Sequence, residues 1–290
     1  MKGQHVNSRK LAGASAASVG AATAVAALLL GALSGTAGEE PTAKAYGLAV
    51  DGLITIPPTP YVEAPPDGHK ALLEIPGPKK DANGLYIGLL KVEAEHFRSR
   101  ATAVDVRILN LLKLKLLEAT CENGHGESAL IRTDGGDKES PYKGQELDLS
   151  PVIKVEFNHQ YRDRDKLTVE AAVISVLPND HHGRAISDKD LNLLRSLAGN
   201  QLEVPTMEQV QAAHAKSKAP AGAPLTVGDL VGAVKELNPA LATPKGDRDA
   251  LLEIVISSAS CREEHREARH EQKQEAPPPK PVEAHLPVTH

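Results

Sequence analysis

The chain has 290 residues, a formal net charge of −5 and no tryptophan, and aromatic residues make up 2% of it. Acidic and basic residues are interspersed, so the sequence contains no basic patch that would bind nucleic acid. A large aromatic platform for stacking sugars or bases is hardly available either. Composition therefore argues against nucleic-acid-binding and lectin-like functions, and we expect no nucleic-acid partner.

The N-terminal 45 residues have the pattern of a secretory signal peptide. Three basic residues come first: Lys2, Arg9 and Lys10. An uncharged run over residues 11–37 follows, and small residues then offer cleavage after Ala37 or after Ala45. An uncleaved membrane anchor is the alternative, because the run is long enough to span a bilayer. Its Ala, Gly, Ser and Thr content makes it only weakly apolar, so we expect no stable membrane span after cleavage.

Short apolar or alternating runs after the signal predict a mainly β fold. The predicted strands cover residues 46–56, 71–75, 85–95, 101–120, 128–132, 152–158, 167–177 and 251–260. A hairpin or bulge near Asn110 would divide the longest run, and the prolines from Pro57 to Pro60 predict the end of the first. In the run 167–177, strict alternation places Val169, Ala171, Val173 and Ser175 on one face. Several short strands separated by turns predict an antiparallel β-sandwich or a barrel-like domain.

Helical patterning replaces alternation over residues 178–249, which predicts a helical insertion into a β domain formed by residues 46–177 and 250–262. Helices are expected at 187–197, 206–218 and 226–237, the second beginning with a Thr206–Gln209 capping box. The flanking strands are expected to hold the core without these helices. Residues 263–290 are charged and then proline-rich, so a disordered tail that does not pack is predicted.

The chain has two cysteines, Cys121 and Cys261, and each lies near the end of a strand-like run. A disulfide is the usual state of such a pair outside the cytoplasm. A reactive thiol is the weaker alternative, because neither cysteine belongs to a C-x-x-C pair or adjoins a cationic cluster in sequence.

Several short motifs lie along the β runs. They are Ala45-Tyr46-Gly47-Leu48, Pro58-Thr59-Pro60, Ala119-Thr120-Cys121, Leu167-Thr168-Val169-Glu170-Ala171 and Ile256-Ser257-Ser258-Ala259-Ser260-Cys261. With these motifs the chain resembles the choice-of-anchor P family of secreted actinobacterial proteins, whose shared part is a β-rich surface domain of unassigned activity. The resemblance spans residues 45–261 except for the helical insertion. It implies a wall-associated protein with Cys121 paired to Cys261, and it implies no catalytic residue.

The last residues contain a degenerate sorting motif: Leu286, Pro287, Val288 and Thr289. These residues match the first four of the sortase signal L-P-x-T-G, but His290 replaces the glycine. Chance is one explanation, and a decayed or truncated anchor is the other. The proline-rich spacer before the motif favours the decayed anchor.

Motifs for catalysis and for cofactor binding give no site. The segment 124–128 has its serine in the wrong place for a G-x-S-x-G elbow and is interpreted as a polar turn. His181 and His182, like His265 and His270 in the tail, do not match a zinc pattern and are interpreted as solvated. Asp134 to Asp137 and Asp163 to Asp165 lack the ligand series of a calcium loop and are interpreted as turns. We therefore assign no catalytic residue, metal site or cofactor.

Two functions fit these observations. The first is a noncatalytic secreted or cell-wall-associated β-sandwich protein with an envelope-structural or adhesion-like role. Its expected partners are cell-envelope components or other surface proteins. The second is a secreted hydrolase whose site is assembled from residues distant in sequence.

Overall fold

The computed structural model describes residues 40–52, 55–75, 84–198, 203–217, 220, 222–238 and 250–264. The proposed signal segment up to residue 39, the tail from residue 265 and the sorting-like motif lie outside the described residues.

The helices lie between the last two described strands, as the sequence predicts. The described strands are β1 (Ala43–Gly52), β2 (Ile56–Ala64), β3 (Gly68–Ile75), β4 (Leu85–Glu95), β5 (Arg98–Ile108), β6 (Leu112–Glu122), β7 (His125–Arg132), β8 (Gln145–Ser150), β9 (Ile153–Asp163), β10 (Lys166–Pro178) and β11 (Ala250–Arg262). The described α-helices are α1 (Asp188–Ala198), α2 (Met207–Lys216) and α3 (Val227–Leu237). The mainly β fold with a helical insertion is confirmed.

The strands form two antiparallel sheets. The first has the order β2-β1-β11-β10-β9-β8, and the second has the order β3-β4-β5-β6-β7. Contacts between the sheets include a hydrogen bond of 2.9 Å that the Ser99 hydroxyl donates to the Ser260 carbonyl, and one of 3.1 Å from the Gln160 amide to the Gly126 carbonyl. Apolar side chains from both sheets fill the space between them. The arrangement is the predicted sandwich.

The longest predicted strand is divided into β5 and β6, as the prediction of a hairpin near Asn110 allowed. Residues 109–111 make the turn between β5 and β6, and the Leu111 amide donates to the Ile108 carbonyl at 3.2 Å. Strand β8 was not predicted from the sequence. The segment 124–128, interpreted as a turn, instead places His125 to Ser128 in β7, with the turn itself at residues 123–124.

The prolines at positions 57, 58 and 60 do not end a strand, so that prediction is wrong. They lie inside β2, which is the edge strand of the first sheet and has β1 as its neighbour. A residue at a sheet edge can leave its amide side unpaired, so proline is tolerated there. The same prolines limit pairing of this edge with another chain.

A row of irregularities crosses the middle of the first sheet. Gly47, Ser257, Ala171 and Asn158 are each skipped in the pairing of their neighbouring strands, and Ser257 and Asn158 have positive φ. Each skipped residue shifts the alternation by one position. In β10, Val169 and Ala171 therefore face the core, as do Ala172 and Ile174 beyond the shift, whereas Val173 does not join the core cluster. The predicted single face through Val173 and Ser175 is wrong for this reason.

Helices α2 and α3 begin at capping boxes. Both halves of the capping box are present between Thr206 and Gln209 at the start of α2, and Thr226 and Asp229 form another at the start of α3. Buried side chains of the helices, such as Leu194, Val210 and Leu230, belong to the same core cluster as the sandwich. This sharing differs from the expectation that the flanking strands hold the core alone.

None of the three described α-helices has the length and apolar character needed to cross a membrane.

Candidate functional site

The two predicted site cysteines meet between the sheets. Cys121 on β6 and Cys261 on β11 form a disulfide with their Cα atoms 5.6 Å apart. Both cysteines are buried, at 1% and 0% exposure. The predicted bridge is confirmed, and it joins the second sheet to the first.

The sheets approach closely beside this bridge. Gly126 on β7 pairs with Cys121, and a Cβ built on Gly126 would stand 2.1 Å from Val169 Cγ2. A contact that short is incompatible with van der Waals packing, so residue 126 has to be glycine for the sheets to meet here.

The outer face of the first sheet carries most of the protein's tyrosines. A cross-strand row is set by direct pairing: Tyr61 on β2, Tyr46 on β1, Ser258 on β11, Glu170 on β10 and His159 on β9. Tyr161 lies two residues beyond His159 on the same strand face, with ring centroids 5.6 Å apart. We call the surface of Tyr46, Tyr61, His159, Tyr161 and Glu170 the tyrosine face. It holds three of the five tyrosines of the chain.

Glu170 is the unusual member of the tyrosine face. Although it points to the side of the sheet away from the core, it is only 5% exposed. The Tyr46 hydroxyl donates a hydrogen bond to Glu170 Oε1 at 3.1 Å. Burial raises the pKa of Glu170 to about 7, and the nearby carboxylates of Glu253 and Glu156 add to the rise. His159 and the Tyr46 hydrogen bond act in the opposite direction.

The tyrosine hydroxyls respond to the same surroundings. Burial and then the charge of Glu170 raise the pKa of Tyr46 far above its ordinary value. The same two causes raise the pKa of Tyr161, whose side chain is 47% exposed. Burial, with Glu63 next to it, raises the pKa of Tyr61. All three tyrosines therefore remain neutral hydrogen-bonding groups across the physiological pH range.

Charges around the tyrosine face are mainly negative. Glu156 Oε1 lies 2.8 Å from Nδ1 of His159, and both Glu156 and Glu253 act electrostatically on Glu170. Lys44, on the same face, is 3.9 Å from a Glu63 oxygen. Within the described part of the chain, no lysine or arginine lies within 4.0 Å of the Glu170 carboxylate. The buried carboxyl thus has no lysine or arginine partner in the described segments, and His159 is the neighbour whose positive charge favours its ionised form.

His181, which the sequence predicted to be solvated, is instead buried at 1% exposure in a short 3-10 turn, Asn179–His181. Its Nδ1 is 2.9 Å from the Pro151 carbonyl oxygen, and its Nε2 is 3.2 Å from Asp148 Oδ1. Asp148 also contacts Arg184 at 2.7 Å. His181 therefore fastens the start of the insertion to the turn between β8 and β9. His182 is exposed, and His265 and His270 lie outside the described residues.

The acidic turn segments stay turns. Residues 134–135 and 164–165 are turns, as predicted, whereas Asp163 is the last residue of β9. In the described segments, no group of three or more histidine, cysteine, aspartate or glutamate side chains is placed to hold a metal ion.

The outer face of the second sheet carries two shallow hollows. One of about 200 Å³ is lined by Asp67, Gly68, His69, Glu93, Ala94 and Glu95. The other, of about 150 Å³, is lined by Lys91, Glu93, Arg100 and Thr102. Both are smaller than the roughly 300–1,000 Å³ typical of ligand pockets. Lys91 and Glu93 form an ion pair in the second hollow, whereas the first is lined by three carboxylates and His69.

The sequence reasoning missed the tyrosine face. One local signal was present, because Glu170 alternates with Val169 and Ala171 in a predicted strand and so had to point away from the core. Bringing it together with Tyr46 and Tyr161 depends on strand order and register, which no local pattern specifies. In comparisons with known proteins, no family model, curated protein or solved structure matches the chain.

Proposed function

We propose that this protein is a noncatalytic secreted or cell-surface β-sandwich with an adhesion-like or envelope-structural role. The observation that carries the proposal is the buried disulfide between the sheets. Stable structural disulfides belong to oxidising, extracytoplasmic compartments, and this one uses both cysteines of the chain. The basic residues and the uncharged run within the first 37 residues support export to the same compartment.

The form of the surface supports a binding role rather than a catalytic one. The tyrosine face is broad and is built from neighbouring strands, and tyrosine is enriched in protein interaction surfaces. Rigid strands hold these side chains in place, which reduces the entropy lost on binding. A flat, rigid and tyrosine-rich surface suits attachment to another macromolecule.

The resemblance to the choice-of-anchor P family extends the proposal to a wall-associated protein of an actinobacterium. Its partners would then be envelope components or other surface proteins.

Cell fractionation tests the proposal. The mature protein, detected with an antibody raised against the folded domain, is expected in the wall fraction or the medium. Thiol labelling should show that both of its cysteines are oxidised. A full-length, reduced protein in the cytoplasm would overturn it. Crosslinking on intact cells should then recover envelope partners, and the same antibody used on lysed cells provides the matched control for contacts made only after lysis.

A further inference from the structure

We infer that the tyrosine face binds a basic polypeptide segment, with lysine or arginine side chains of the partner lying against the tyrosine rings. The inference deepens the proposed adhesion-like function by naming the chemistry of the partner, and in that respect it rests on that function. It is carried by the geometry and charge of the face.

The first argument is the cation site that the side chains provide. Tyr46 and Tyr161 both interact with Glu170, a residue that is 5% exposed and that accepts a hydrogen bond of 3.1 Å from the Tyr46 hydroxyl. A cation placed on an aromatic ring is attracted by the electrons of its face. A carboxylate next to the rings adds to this attraction, because a charge in a partly buried site is weakly screened.

The second argument is charge complementarity. Glu156 and Glu253 add negative potential around Glu170, and Lys44 is close to Glu63. These carboxylates would therefore repel an anionic partner, whereas a cationic one would bring to Glu170 the lysine or arginine that it lacks among the described residues, where His159 is its positive neighbour. Opposite potentials on two surfaces favour their association and speed their encounter.

The third argument is the size and flatness of the face, which identifies a polypeptide rather than a small amine. The row from Tyr61 on β2 to His159 on β9 crosses four strand-to-strand gaps, or about 19 Å at the usual strand spacing. A small amine needs a concave site that surrounds it. An extended segment with successive basic side chains can instead contact Tyr61, Tyr46 and Tyr161 together.

Glu170 also gives the binding a pH dependence. The groups that face it are Tyr46 on β1, Glu253 on β11, and Glu156, His159 and Tyr161 on β9. A bound cation favours the ionised carboxylate, so binding releases a proton from the fraction of molecules in which Glu170 is protonated. Affinity should therefore increase as the pH rises through about 7.

Calorimetric titration of the oxidised full chain with a capped hexalysine peptide at low ionic strength tests the inference. Saturable binding is expected, and a capped hexaglutamate peptide should not bind. Tyr161→Leu should weaken binding by about fivefold, because it removes the ring face while keeping bulk. Tyr161→Phe keeps the ring and should bind like the wild type. Glu170→Gln should weaken binding and abolish the increase with pH.

Two control variants separate a specific site from general attraction to an acidic protein. Glu127→Gln removes one exposed carboxylate from β7 in the second sheet, and Tyr142→Leu removes a tyrosine that is 70% exposed outside the face. Both should bind as the wild type does. Equal losses in these controls, or no saturable binding, would overturn the inference. The peptide titration and the cell fractionation give independent results. If the protein is found in the wall but does not bind the peptide, only the proposal of a basic partner is refuted.

Discussion

Removal of the disulfide between the sheets should lower the free energy of unfolding by several kcal/mol. The disulfide joins residues 140 positions apart. For a loop of that length the chain-entropy model gives about 5 kcal/mol at 25 °C, and measured losses for native disulfides run from about 2 to 5 kcal/mol. Because a typical domain is stable by only about 5–15 kcal/mol, the double variant Cys121→Ala/Cys261→Ala should have a much lower unfolding midpoint.

Two measurements distinguish the cross-link from the packing of the sulfur atoms. Urea unfolding of the wild type with and without a reductant isolates the cross-link, because reduction keeps both buried sulfurs. The double variant adds the loss of the sulfurs, and its midpoint should not respond to the reductant. Alanine is the appropriate replacement, since serine would bury a hydroxyl in the core at both positions.

A reduced wild type within about 1 kcal/mol of the oxidised protein would refute the reasoning, because it would mean that the bridge does not restrict the unfolded chain. Mass spectrometry of the non-reduced protein provides the necessary check. It should show a single crosslinked peptide pair that contains Cys121 and Cys261, and no free thiol.

Three further predictions address packing, pH and export. Gly126→Ala should lower the midpoint of thermal unfolding, because the added methyl group would stand 2.1 Å from Val169 Cγ2 and force the sheets apart beside the bridge; an unchanged midpoint would contradict this close approach. Glu170 has a folded-state pKa raised from 4.5 to about 7, so its contribution to stability, about 3 kcal/mol, is complete below pH 4.5 and is lost as the pH rises through 7. Unfolding measured at several pH values should show this decline in the wild type and a smaller one in Glu170→Gln. The mature protein should begin at Gly38, since cleavage after Ala45 would remove the first residues of β1, where Ala43 and Ala45 are buried; N-terminal sequencing of the exported protein checks this.

The parts of the fold that sequence patterns predict well are those fixed by neighbouring residues. Helix α2 begins where Thr206 and Gln209 form their capping box, and strand β4 occupies the predicted residues 85–95. Capping needs only a span of four residues, and alternation needs only a period of two. Both signals are complete within one element, so tertiary structure did not change them.

The errors come from features that depend on a partner strand. Pro57 and Pro58 look like strand terminators until it is known that β2 is an edge strand. Ala171 looks like an ordinary alternating residue until its neighbour Ser257 is seen to be skipped as well. Sheet order and register are set by contacts between distant segments, so a single strand carries little information about them.

The tyrosine face was missed for the same reason. Tyr46 and Glu170 are 124 residues apart, and they become neighbours because β11, the last described strand, inserts between β1 and β10. The helical block precedes this strand. The candidate site therefore exists only after the chain has passed through the insertion and returned to the sheet.

Because the helical block precedes β11, we expect the helices and the sheets to fold as one unit. A single substitution in a helix tests whether the two unfold together. Leu230 on α3 is fully buried in the core cluster that the helices share with the sheets. Leu230→Ala should cost about 2–5 kcal/mol. All five tyrosines precede the helices in the chain, so tyrosine emission reports on the sandwich while circular dichroism at 222 nm reports mainly on the helices. If the core is shared, both signals should unfold together and shift by the same amount in the variant. A shift at 222 nm with an unchanged tyrosine transition would show that the helices fold as a separate unit.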